Sequence, residues 1–209
     1  MILCLGQLNL LENQSADRKT KMRFEKAIDF TRQWEGWISN DPDDPGGITK
    51  YGISLRFLRG VDKSLGDVDG DGDVDENDIK ALTWEQAEAL YKKEFWDALD
   101  LDYTPSIAAI ALFDTAVNMG RNRAVKILQE SINTYLYKVD VDGDYGPQTK
   151  EALRQLLTHG NPSFGDRFCI YRLKHYQQII AAKKKLAKFF CGWTNRTIAL
   201  SDAIRCEVW

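Results

Sequence analysis

The chain has 209 residues, 44% of them hydrophobic and 28% charged, which reads as globular and is enough for one good core or two small lobes packed together. The net charge is −3, but residues 67–78 hold seven acidic side chains and no basic one, so the remainder is mildly basic. That balance suits an anionic polymer, is far too weak for nucleic-acid binding, and comes with no apolar run approaching the roughly 18 residues of a membrane span.

The opening MILCLGQLNLL is apolar but lacks a basic start and a small-residue cleavage site, so it is a poor signal peptide. Met22 reads as the natural start, and residues 1–21 are expected to be a leader or upstream extension outside the fold. Four cysteines, Cys4, Cys169, Cys191 and Cys206, show no CxxC or metal-ligand spacing and are expected to be reduced and mostly buried.

Phe24, Ala27, Ile28, Phe30, Thr31 and Trp34 recur with helical period, which predicts a helix whose last turn carries Glu35. Then comes WEGWISNDPDDPGGITKYGI, residues 34–53. Cleaving a glycosidic bond usually takes two carboxyl groups in different environments: one kept protonated to serve the leaving oxygen, one kept ionised to activate water or stabilise the sugar cation. Glu35 suits the first role, because Trp34 and Trp37 flank it and indoles can desolvate a carboxyl and raise its pKa. Asp44 suits the second, with Asp43 a close rival, since Pro42, Pro45, Gly46 and Gly47 forbid regular helix and suggest a fixed loop with free N–H groups. Thr49 would position a water, and Tyr51 closes the stretch as a candidate sugar contact. The bland alternative is a surface Glu beside an ordinary turn.

Ser54 is placed to cap a short helix that Gly60 ends. The run DVDGDGDVDEND fills each position of a twelve-residue calcium loop: Asp67, Asp69 and Asp71, then Gly72, the Asp73 carbonyl, and Asp78 in twelfth place. A structural Ca2+ is therefore expected there, and the loop resembles a single dockerin-type EF-hand motif. Thr83 with Gln86 forms a capping box for a long amphipathic helix, and Pro105 opens SIAAIALFDTAVNMG, apolar almost all round and so expected to be the buried central helix. Its polar residues Asp114 and Asn118, four apart, share a face and read either as a core pair or as the lining of a sugar cleft. A helix is predicted over 122–138, followed by VDVDGDYGPQT, which fails the calcium-loop test and reads as a turn into a helix begun by Gly146-Pro147. Arg196 would clamp an acidic partner in the core or meet a ligand carboxylate, while His159 and His175 read as surface or packing residues.

Several of these runs resemble one family. The Glu-Gly pair, the Asp-Pro-Gly-Gly turn and the Thr-Lys-Tyr-Gly-Ile-Ser run resemble the signature of glycoside hydrolase family 108, with Trp37 where the family commonly has a second Gly. The order Glu35, Asp44, Thr49 is more distantly similar to bacteriophage lysozymes. DTAVNMG with RAVKILQ, and the Phe190 to Arg196 run, resemble the same family, and VDGDYGPQT is similar to predicted peptidoglycan-binding modules. The resemblance implies a lysozyme-like N-acetylmuramidase, endolysin-like, with Glu35 as the acid, and favours Asn118 near the cleft.

With no alternating apolar strand of useful length, the fold is expected to be mainly α. A catalytic half over 22–115, with the calcium loop inserted at 66–82, and a peptidoglycan-binding half over 116–209 are expected. Such an enzyme, made in the cytoplasm, would reach the periplasm or wall with help from a holin or another pore, and would be a monomer. The rival readings are a non-catalytic wall-binding or secretion-assisting protein and a calcium-dependent adaptor.

Overall fold

The computed structural model describes residues 21–36, 38–39, 47–161 and 163–205. Most of the expected upstream extension, with Cys4, and also Trp37, Asp41, Asp43, Asp44 and Cys206, lie outside the described residues. The fold is mainly helical, as the periodicity predicts, and lysozyme-like, as the resemblance implies. By their contacts the described residues form two compact units, one within Ile28–Glu94 and one comprising residues 21–27 and those from Phe95 to Arg205.

Helix α1 spans residues 21–32 and runs from one unit into the other. It stops one turn before Glu35. Gln33, Trp34 and Glu35 donate instead to the carbonyls three residues back, at 3.2, 2.9 and 3.4 Å, the tightened tail by which helix ends satisfy their last carbonyls. Glu35 thus sits just past the helix rather than on its last turn. In the Ile28–Glu94 unit there follows a three-stranded antiparallel sheet, β1 (Ile38–Ser39), β2 (Thr49–Lys50) and β3 (Ile53–Ser54), which the periodicity did not predict. Strands of two residues are too short to show a period of two.

Ser54 ends β3 and caps α2 (Leu55–Leu58), accepting from the Phe57 N–H at 3.1 Å, as expected. Helices α3 (Lys63–Gly66) and α4 (Glu76–Ala81) flank the acidic loop. The Thr83–Gln86 capping box opens α5 (Trp84–Tyr91), both of its reciprocal bonds being present, and a π-helical turn, Lys92–Trp96, carries the chain out of the unit. Ile28, Ile48, Ile53, Leu58, Ile79, Leu82 and Leu90 are buried residues of this unit.

The second unit is built on α6 (Ser106–Met119), where every residue from Ala108 to Ala116 is buried. Around it come α7 (Arg121–Ile132), α8 (Pro147–Thr158), α9 (Phe164–Ala182) and α10 (Phe190–Arg205). Phe24, Trp96 and Phe113 form an edge-to-face triangle with centroids 5.4–5.8 Å apart, an arrangement that adds about 0.5–1.5 kcal/mol per pair beyond area burial. α7 ends six residues earlier than predicted. The Asn133 side chain accepts from the Val139 N–H and donates to the Val139 carbonyl, both at 2.8 Å, folding 133–139 into a loop. Pro147 opens α8 as its spacing predicted. Cys169 is buried and its thiol is pushed up to about 12 by burial, but Cys191 is exposed, contrary to expectation. Among the described residues no helix is long and apolar enough to cross a membrane.

Candidate active site

Glu35 is half-buried, and the feature that fixes its surroundings is the turn between β2 and β3. The pairing of Lys50 with Ile53 leaves a two-residue loop, Tyr51-Gly52, with φ of 52° and 77°. Two consecutive positive φ values are the signature of the tight hairpin turn that usually carries Asn-Gly, because a bulky residue is strained at the first place. Tyr51 is nonetheless held there. The Tyr91 hydroxyl, from the end of α5, donates to the Tyr51 carbonyl at 2.7 Å, and the Tyr51 ring packs edge-on against Trp84 at 5.6 Å, with the Arg32 guanidinium 4.3 Å from the Trp84 ring centroid.

The turn presents Gly52 directly to the Glu35 carboxylate. A Cβ on Gly52 would overlap the Glu35 carboxylate, 2.7 Å from its Cδ, and would meet the Tyr91 hydroxyl as well. The sequence thus needs glycine at position 52 twice, for the backbone angle and for the space. Gly52→Ala is expected to push the Glu35 carboxylate aside and to cost about 10²-fold in the rate of any reaction that carboxylate serves, the scale of an ångström of misplacement, with far-UV circular dichroism unchanged. Gly52 lies within the Thr-Lys-Tyr-Gly-Ile-Ser run, but no local pattern ties it or Tyr91 to Glu35.

Thr49 lies on β2, half-buried, with its hydroxyl donating to the Gly47 carbonyl at 3.3 Å. It shares the hairpin with Tyr51 and the unit with both Tyr51 and Glu35, whereas the second-carboxylate candidates Asp43 and Asp44 fall outside the described residues. Asn118 belongs to the other unit. Its side-chain oxygen accepts from the Tyr176 hydroxyl at 2.5 Å, and Arg172 Nε donates to that same hydroxyl at 3.2 Å. Asp114, one turn earlier, is fully buried and takes Arg172 Nη1 on Oδ2 at 2.5 Å and Arg196 Nη2 on Oδ1 at 2.7 Å. Arg196 therefore clamps an acidic partner in the core. Burial alone would raise the Asp114 carboxyl, but Arg196 and then Arg172 more than reverse this and hold it below the ordinary carboxylate range.

Residues 28–120, which include Glu35, the hairpin and α5, match the family described as Glycosyl hydrolase 108. Over this stretch the chain is similar to glycosyl hydrolase family 108. Residues 123–198 match a second family, described as Predicted Peptidoglycan domain. Among solved structures, that of Brucella abortus SagA is similar to the chain, with 28% identity and a TM-score of 0.70 over 89% of this chain and 95% of that one. No curated protein matches. The two matches together support a glycoside hydrolase that acts on peptidoglycan.

Inside the family 108 stretch, the acidic loop is wound tightly on its own backbone. Asp67 Oδ2 accepts from the Gly72 N–H at 3.1 Å, Asp69 from Asp71 at 3.3 Å and Asp71 from Asp73 at 3.0 Å, with Gly72 at φ 97°. These turns bring carboxylate oxygens of Asp67, Asp69 and Asp71 within 4.8 Å of one another, and those of Asp73, Asp75 and Asp78 likewise, so the five predicted ligands are split between two clusters, the second of which also takes in Asp75. Asp78 is buried and accepts from the N–H groups of Val68, Asp69 and Asp75, and these bonds hold its carboxyl low despite burial. Partial desolvation raises Asp69, and the Asp71 charge raises Asp73. Asp67 Oδ1 is buried with no hydrogen-bond partner, an orphan acceptor of the kind a cation would satisfy.

Proposed function

We propose that the protein is an N-acetylmuramidase that hydrolyses the bond between N-acetylmuramic acid and N-acetylglucosamine, with Glu35 as general acid. The observation that carries this reading is the seating of the Glu35 carboxylate against Gly52 in a family 108 unit, where a strained hairpin is held by Tyr91 and Trp84. Strain retained next to a carboxylate is typical of a site whose geometry matters more than its local stability. In this reading Glu35 protonates the leaving oxygen, Asp44 or Asp43 stays ionised on the opposite side of the sugar, Thr49 helps to hold water, and Tyr51 contacts the glycan. Single displacement fits these roles. Action on the wall, after release through a holin or another pore, belongs to the same proposal.

Muropeptide analysis of purified peptidoglycan tests the bond and the acid together. Reducing ends at N-acetylmuramic acid with the wild type, absent with Glu35→Gln, are expected. Anhydromuramyl ends, or the same products from the variant, would overturn the reading.

The acidic loop is a calcium site in this proposal, supported by the orphan Asp67 oxygen and by the crowding of like charges. Asp67, Asp69, Asp71, Asp73 and Asp78 would hold the ion, whose contribution is to fix the loop. EDTA is then expected to lower the melting temperature by about 5–10 °C, with recovery on adding Ca2+ but not on adding an equal concentration of Na+. A melt that moves in neither direction would remove calcium from the account.

A further inference from the structure

The unit that contains the peptidoglycan domain has its own groove. A hollow of about 430 Å3 is lined by Tyr103, Tyr145, Lys150 and Arg154, and it shares Pro147 and Glu151 with a neighbouring hollow of about 530 Å3 lined by Tyr137 and Gln148. The first turns of α8 are therefore the common wall of two adjoining depressions, each within the size range of ligand sites.

The polar groups of the groove are fixed and paired. Lys150 meets Asp100 at 2.7 Å and lies 5.3 Å from the centroid of the Tyr145 ring, and Tyr145 bonds through its hydroxyl to Thr104 at 2.9 Å. Arg154 grips both oxygens of Glu151, at 2.7 and 2.8 Å, which with Gln155 holds that carboxyl down to about 2. Arg23 donates to the carbonyls of Thr104 and Asp102. Each of these cations is already answered by an acceptor of the same unit, so the groove has little to offer a free carboxylate or phosphate. It offers tyrosine rings and rigid donor–acceptor pairs instead. Tyr103 stands out with 87% of its surface exposed, an unusual exposure for so large a ring.

A flat apolar face rimmed by fixed hydrogen-bonding groups matches a pyranose ring, which is apolar on its C–H face and polar around its edge. Two such hollows in sequence match a polymer of pyranoses. We propose that this double hollow is a glycan-binding groove that takes successive N-acetylhexosamine units of a peptidoglycan strand, with Tyr103 and Tyr145 as stacking platforms and Lys150 and Arg154 as hydroxyl partners. The proposal rests on peptidoglycan being the substrate, and it assigns recognition to the sugar rather than to the stem peptide.

The test measures retained protein and new reducing ends in the same samples, so the groove and the catalytic assignment are judged separately. The probe is glycan strand freed of stem peptides by amidase digestion, with intact sacculi alongside. Tyr103→Ala and Lys150→Ala are made in the wild type and in Glu35→Gln. Each is expected to weaken binding to the stripped strands by roughly five- to tenfold in both backgrounds, with an unchanged melt for the exposed Tyr103. Binding within twofold of the parent, or binding to sacculi that disappears once the peptides are removed, would overturn the groove. Reducing ends that persist in Glu35→Gln would instead overturn the catalytic assignment and leave the groove to stand on retention alone.

Discussion

Glu35→Gln is expected to lower the rate of glycan cleavage by about 10³-fold, within the 10²–10⁴ range that a positioned general acid supplies. Glutamine keeps the shape of the side chain that lies over Gly52, so the hairpin and the Tyr91–Tyr51 bond should be undisturbed, and only the transferable proton is lost. The loss should therefore appear in kcat while KM stays within a few-fold, the pattern of an interaction made in the transition state alone. Glu35→Asp separates position from chemistry. It keeps an acid but retracts it by one methylene from the Gly52 surface, and a rate between those of the wild type and Glu35→Gln is expected. Initial rates on stripped glycan strands decide the matter, and a Glu35→Gln enzyme as fast as the wild type would return the protein to the class of non-catalytic wall binders.

The largest effect on stability is expected at Asp114. This carboxylate joins three helices, α6 through itself, α9 through Arg172 and α10 through Arg196, and none of the three side chains is exposed beyond 5%. Asp114→Ala would leave two guanidiniums buried without their counter-charge, a loss of about 3–5 kcal/mol and about 10 °C in melting temperature. The cost lies in the abandoned cations rather than in the missing attraction. Replacing Asp114, Arg172 and Arg196 together by Leu, Met and Met should accordingly recover most of it. The pH dependence has a definite sign. Because the folded Asp114 carboxyl lies below its ordinary value of 3.8, its contribution is complete above that value and drains away as pH falls through the folded one. Acid unfolding of Asp114→Asn should lack that limb, which a series of melts below about pH 4 would show.

Much of the helical frame was legible because its signals are local. The Thr83–Gln86 box, the Gly146-Pro147 start and the apolar run from Ala108 to Ala116 each declare a helix within a few residues. The end of α7 was not legible, since Asn133 stops it by reaching the backbone of Val139, and a periodic pattern carries no trace of that bond. Glu35 and Thr49 were readable as residue types suited to the chemistry. Their surroundings were not, because Tyr91 meets Tyr51 across 40 residues of chain and Arg196 meets Asp114 across 82. The sequence suggested that Arg196 wanted an acid but could not say which one.

The Tyr51-Gly52 hairpin also bears on how this protein should be engineered. A search for stabilising substitutions would replace Tyr51 with Asn, the residue such a turn prefers, and would count the relief of backbone strain as a gain. The same substitution removes the ring that rests on Trp84 and so loosens the backing of the acid. At position 51 the chain favours a rigid seat for Glu35 over local backbone comfort, so thermostability designs should leave Tyr51, Gly52, Trp84 and Tyr91 fixed and seek their gains on the exposed face of α9.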